Sequence, residues 1–97
     1  MKTINTNKAP QAIGPYSQAK VVGNFIFISG QIPLKADGSM MSGNFELECI
    51  QVLNNLKEIL ESGGSDMSNI IKLTVYLTDL SNFNILNEVF EDYFKNL

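Results

Sequence analysis

The amino-acid sequence predicts an α+β fold, a mixed β-sheet with two helices packed on one face. Three observations carry this. Two runs of β-formers meet at a Gly23-Asn24 turn, a long helical pattern spans residues 45–60, and a β-rich run at 70–77 precedes a second helical pattern ending at Leu97. Strand, long helix, strand implies a right-handed crossover, which sets the strands beginning at Phe25 and Ile70 parallel. The preceding strand, residues 17–22, is antiparallel to the first of these.

Taken in order, residues 3–6 form a short first strand, and a polar loop leads from Asn7 to the turn Gly14-Pro15-Tyr16. Residues 17–22 and 25–28 then make a hairpin, because glycine reaches positive φ without cost and asparagine tolerates it. The second strand ends on Ser29-Gly30-Gln31. This terminus offers a hydroxyl, a bare backbone and an amide side chain, a combination suited to close approach by a small molecule. From Pro33 to Asn44 the turn formers Asp37, Gly38, Ser39, Ser42 and Gly43 read as a loop without periodicity.

Phe45, Cys49, Val52, Leu53, Leu56, Ile59 and Leu60 recur at amphipathic-helix spacing. Asn44 is the expected N-cap, Glu46 and Glu48 suit the positive end of the helix dipole, and Gly63-Gly64 ends the helix. In the run at 70–77, Ile71, Leu73, Val75 and Leu77 share one face of a strand. Asp79 or Ser81 caps the second helix, whose apolar residues are Phe83, Leu86, Phe90, Tyr93 and Leu97.

Composition narrows the chemistry. The chain of 97 residues supports one domain, small enough to benefit from self-association. All seven basic residues are lysines, with no arginine and no histidine, against ten carboxylates, a net charge of −3. Nucleic acid is therefore a poor default partner. The single cysteine, Cys49, excludes an internal disulfide and a Cys-His metal site, and its core spacing makes it a small buried apolar residue. The first ten residues lack the apolar run of a signal peptide, and no stretch is long and apolar enough for a membrane helix, so a cytoplasmic protein is expected.

Several blocks together resemble one known family. Ala9-Pro10, Ala12-Ile13-Gly14-Pro15-Tyr16-Ser17-Gln18-Ala19, Phe27-Ile28-Ser29-Gly30-Gln31-Ile32-Pro33 and the pairs Thr78-Asp79 and Asn87-Glu88 are similar to the RidA (YjgF/YER057c) family, in order along essentially the whole sequence. The resemblance implies a chorismate-mutase-like fold and a homotrimer with pockets between subunits. It implies hydrolysis of the enamine/imine intermediates released by pyridoxal-phosphate enzymes, giving 2-oxo acids and ammonia without metal or organic cofactor. Older descriptions of relatives name translation inhibitors and endoribonucleases.

Carried over by position, the resemblance assigns catalytic roles to Tyr16 and Ser29, and substrate contacts to Gly30, Gln31 and Asn87. The family site also takes a carboxylate-binding arginine, a glutamate and a water-positioning carbonyl from two strands after the second helix. The 97 residues stop short of those strands, so a truncated version of a longer protein is expected, with a degenerate member as the alternative. Cys49 does not match the family's cysteine, and Glu48 stands where a glutamine is common.

Without the resemblance, plainer roles compete. Tyr16 packs beside its turn, Ser29-Gly30-Gln31 is a strand end with a bulge, and Asn87 lies on a solvated helix face. Three functions follow: an imine deaminase, a non-catalytic binder of small carboxylates, and, last, RNA cleavage or translation inhibition.

Overall fold

The computed structural model describes residues 2–95 and 97. Three strands, β1 (Lys2–Ile4), β2 (Ala19–Val22) and β3 (Phe25–Ile28), form an antiparallel sheet in that order. Val22 pairs with Phe25 across Gly23-Asn24, and the register runs back to Ala19 opposite Ile28. Gly23 takes φ 59 while no other residue type among those described has positive φ. Positive φ at the first turn position alone is what a type II′ loop requires. Side chains alternate cleanly: Ala19, Val21, Ile26 and Ile28 turn toward the helices, and Lys20, Val22, Phe25 and Phe27 turn away.

The first helix, α1, spans Phe45–Ser62 and begins as expected, with the Asn44 side chain accepting from the Leu47 N–H at 3.0 Å. It ends in a Schellman motif. The Ser65 N–H donates to the Leu60 carbonyl at 2.9 Å and the Gly64 N–H to that of Glu61 at 3.1 Å. Gly64 is the left-handed residue, at φ 85. Gly63 has a different role: a Cβ there would stand 2.4 Å from Ile4 Cδ1, so its absence lets β1 approach the helix end.

The second helix, α2, spans Phe83–Lys95 and follows a single 3₁₀ turn, Leu80–Asn82. Asp79 rather than Ser81 supplies the cap, its carboxylate accepting from the Ser81 N–H at 2.9 Å. Leu86 and Val89 of α2 pack with Cys49, Leu53, Leu56 and Leu60 of α1 and with Met67. Ile4, Ala9, Ala19 and Ile59 form a second cluster where the sheet meets α1. Leu53 and Ile59 are fully buried, each contributing about 1.5–3 kcal/mol of transfer free energy. The α+β class with both helices against one sheet face is thus as the sequence predicts.

The crossover strand differs. Residues 70–77 belong to no ladder among the described residues, so the described sheet is antiparallel and the predicted parallel pairing with β3 is not formed. The segment is anchored by Ile70, Leu73 and Leu77 against the core, whereas Ile71, Val75 and Tyr76 are exposed. That spacing of three and four is not the period of two expected of a strand face. β-propensity selects an extended backbone here without choosing its hydrogen-bonding partner. A smaller difference lies at 33–44, where Leu34 bridges Met40 and the Asp37-Gly38 turn closes a miniature hairpin with Gly38 at φ 92.

Candidate functional site

The open end of the β2–β3 hairpin holds two hollows that share Tyr16, Ser17 and Ser29. One, of about 490 Å³, lies toward the outer face of the sheet against Lys20, Val22 and Phe27. The other, of about 460 Å³, runs between the loop at Pro10–Ile13 and the Ser29–Ile32 strand end. The hairpin register creates this meeting. Continuing the β2–β3 pairing one step past Ala19 and Ile28 sets Gln18 opposite Ser29, and the Ser29 N–H donates to the Gln18 carbonyl at 3.0 Å.

Ser29 is clamped: its hydroxyl donates to the Ser17 carbonyl at 2.5 Å, leaving its lone pairs toward an incoming donor. Gln31 donates its side-chain N–H to the Ser29 carbonyl at 3.2 Å. A Cβ on Gly30 would meet nothing within 4 Å, so the backbone there faces open space. Tyr16 is 72% exposed, its ring closing the shared edge of both hollows. The structure therefore gathers Tyr16, Ser29, Gly30 and Gln31. Asn87 lies on the exposed side of α2 and lines neither hollow.

Two buried amides that the sequence reading did not single out by role hold the walls. Gln18, 3% exposed, accepts from the Thr6 N–H at 2.7 Å and donates to the carbonyls of Thr6 at 3.0 Å and Pro10 at 2.9 Å, with a longer contact to Ala9 at 3.4 Å. Asn55, 1% exposed, donates to the carbonyls of Leu34 at 2.9 Å and Ile32 at 3.3 Å, and accepts from Gln51 at 2.9 Å. One amide fixes the loop entering the site and the other the segment leaving it. The signal for Asn55 was present: an amide four residues before Ile59, on the same side of the helix, must find partners when buried.

Cys49 is buried in the helix interface, and burial, then Glu48 and Glu46, push its thiol above the ordinary value. It is a packing residue, as expected. Among the described residues no group of three His, Cys, Asp or Glu side chains forms a metal cluster. No helix among them is long and apolar enough to cross a membrane. The site thus offers hydroxyls, backbone N–H groups and one nearby ammonium, chemistry suited to binding and polarising a small polar molecule.

Residues 6–97 match the family model described as Endoribonuclease L-PSP. The chain is 47% identical over 96 residues to the human 2-iminobutanoate/2-iminopropanoate deaminase, covering 98% of this chain and 70% of that protein. RidA from an Antarctic Psychrobacter superposes with a TM-score of 0.90 at 43% identity, over 95% of this chain and 75% of that one. The Escherichia coli protein TdcF, solved with bound serine, gives 0.94 at 38% identity, over 99% and 76%.

Proposed function

The chain belongs to the endoribonuclease L-PSP (RidA) family, and from that premise we propose that it hydrolyses 2-iminobutanoate, 2-iminopropanoate and their enamine tautomers to 2-oxo acids and ammonia. The likeness to the human deaminase, running along almost the whole chain, carries this reading. The hairpin-end site supports it through its chemistry.

Water adds to the imine carbon, the carbon–nitrogen bond of the resulting carbinolamine breaks, and ammonia leaves. C=N and H₂O become C=O and NH₃ with no change of oxidation state, so no oxidant or reductant is called for. Tyr16 polarises the imine and carries its proton traffic, while Ser29, whose proton is committed to the Ser17 carbonyl, takes part in the chemistry by accepting from the substrate's N–H. The bare backbone at Gly30 and the amide of Gln31 hold the substrate in place, an arrangement that stabilises charge as it develops. Asn87, which lines neither hollow of its own chain, acts at the site of a neighbouring subunit.

The oligomer is a homotrimer with sites between subunits, and the outer sheet face supports this. Val22, Phe25 and Phe27 are 45%, 53% and 64% exposed there, an apolar patch of the kind that self-association covers. The protein acts in the cytoplasm on small molecules.

The test generates the imine from threonine with a pyridoxal-phosphate dehydratase and follows 2-oxobutanoate, while native mass spectrometry reports the oligomer. Faster release of 2-oxobutanoate is expected on adding the protein. A folded trimer that leaves the rate unchanged refutes the deaminase. Stabilisation by 2-oxobutanoate without turnover would point instead to a binding module.

A further inference from the structure

We propose that Gln18 is a positioning residue for the reaction, its side-chain amide anchoring the stretch of chain that sets both Tyr16 and Ser29. The proposal rests on the imine-hydrolysis reading, which assigns the chemistry to those two residues. Gln18 borders the second hollow but is only 3% exposed, and its amide oxygen and nitrogen are both turned to backbone groups. It acts on the substrate through its neighbours, within one chain and independently of any subunit contact.

The β1–β2 ladder ends where Ile4 pairs with Ala19. Just beyond it the Gln18 side chain takes the place of a strand peptide. Its Oε1 accepts from the Thr6 N–H at 2.7 Å and its Nε2 donates to the Thr6 carbonyl at 3.0 Å. The second N–H reaches the Pro10 carbonyl at 2.9 Å. These bonds close residues 6–18 into a loop at its base, and that loop carries Pro10, Ile13 and Tyr16 to the hollow. The main chain at the same point grips Ser29. The Ser17 carbonyl accepts its hydroxyl at 2.5 Å and the Gln18 carbonyl accepts its N–H at 3.0 Å. Both donors of Ser29 therefore rest on carbonyls flanking the anchored amide, and Tyr16 stands two residues before it. The position calls for one acceptor and two donors without charge. Glutamine supplies them, whereas glutamate has no N–H and asparagine is a methylene shorter. Freeing this amide lets Tyr16 and Ser29 move relative to each other, and about 1 Å of misplacement costs a reaction on the order of a hundredfold.

The experiment measures kcat and KM for the imine, per folded molecule and below every melting midpoint, in wild type, Gln18→Met, Gln18→Glu and Leu56→Ala. Methionine fills the same space without hydrogen bonds, and glutamate keeps the acceptor but loses the donors. Leu56 packs between the helices and lines neither hollow, so its variant is destabilised by lost packing alone. In both Gln18 variants kcat should fall at least about tenfold while KM moves less than about threefold, the pattern of misplaced reacting groups. Leu56→Ala should keep kcat within about twofold despite its lower melting temperature. Hydrogen exchange on the wild type adds an arm that needs no variant to fold: the Thr6 amide should exchange as slowly as the Ser29 amide. An unprotected Thr6 amide, unchanged kcat in a folded Gln18 variant, a rise in KM alone, or an equal fall in Leu56→Ala would each overturn the assignment. The two readings fail separately. A wild type without turnover, but with a protected Thr6 amide and with Tyr16 and Ser29 resonances displaced in Gln18→Met, sinks the deaminase and leaves the anchor standing. Turnover that Gln18→Met leaves intact does the reverse.

Discussion

Adjacent asparagines on α1 offer a controlled test of how the site is held. Asn55 is 1% exposed and makes three hydrogen bonds, to Leu34 and Ile32 carbonyls and from Gln51. Asn54, one residue earlier, is exposed and accepts a single bond from the Tyr93 hydroxyl at 3.0 Å. Each net bond contributes about 1 kcal/mol, and the 3.3 Å contact to Ile32 less, so Asn55→Ala loses roughly 2 kcal/mol before the residual cavity is counted. The two carbonyls left behind lie on a half-exposed segment and recover part of this through water. A net cost of about 2–3 kcal/mol follows, equivalent to a drop in Tm on the order of 10–20 °C for a chain of this size. Asn54→Ala should cost under about 1 kcal/mol, as exposed bonds do. Thermal and urea unfolding at one fixed protein concentration measure both. Because Ile32 and Leu34 line the hollow, Asn55→Ala should also weaken 2-oxobutanoate binding under conditions where it remains folded. Equal costs at the two positions, or a loss at Asn55 under about 0.5 kcal/mol, would refute the argument that this amide fixes the segment after β3.

Other outcomes follow from single features. Gly64→Ala, at φ 85 with open space around its Cβ, should cost about 1–2 kcal/mol from backbone strain alone, read by urea unfolding. Gly30→Val should keep its melting temperature, since a Cβ there meets nothing within 4 Å, yet reduce imine turnover about a hundredfold by filling the hollow. Asp79 is held below its ordinary value of 3.8, first by the Ser81 hydroxyl and then by its N–H. A carboxyl depressed on folding adds stability above its unfolded value and loses it as pH falls through the folded one. Asp79→Asn, which keeps a capping side chain, should therefore flatten the loss of stability below about pH 4 in an acid titration. Cys49, buried with its thiol pushed up, should react with a thiol reagent at about pH 8 only as fast as the helices open, and a rapid native reaction would contradict its placement.

What was legible in the sequence was local. The Gly23-Asn24 loop fixes the hairpin register, and counting outward from it places Lys20 beside Phe27 and Gln18 beside Ser29. The ends of α1 follow from Asn44 and the paired glycines, because caps are satisfied within a few residues. The partner of residues 70–77 was not legible, since pairing depends on which backbone lies alongside, and the β-rich run carries no information about that. Its exposure pattern, with Leu73 and Leu77 inward and Ile71 outward, reports attachment to the core through side chains, with no ladder among the described residues.

The same divide runs through the site. Tyr16, Ser29, Gly30 and Gln31 meet because the hairpin brings them together, whereas Asn87 is positioned by the packing of α2. That helix turns Leu86 and Val89 inward, and successive residues of a helix are about 100° apart, so Asn87 is carried to the exposed side of α2. Within one described chain it has no route to the hairpin hollows through its own contacts. Any share it takes in the chemistry must come across an interface, which ties its role to the oligomer. Asn87→Ala should then leave the melting temperature of the isolated chain unchanged and reduce turnover only where subunits are assembled. Equal turnover by wild type and variant in a trimer would remove Asn87 from the site.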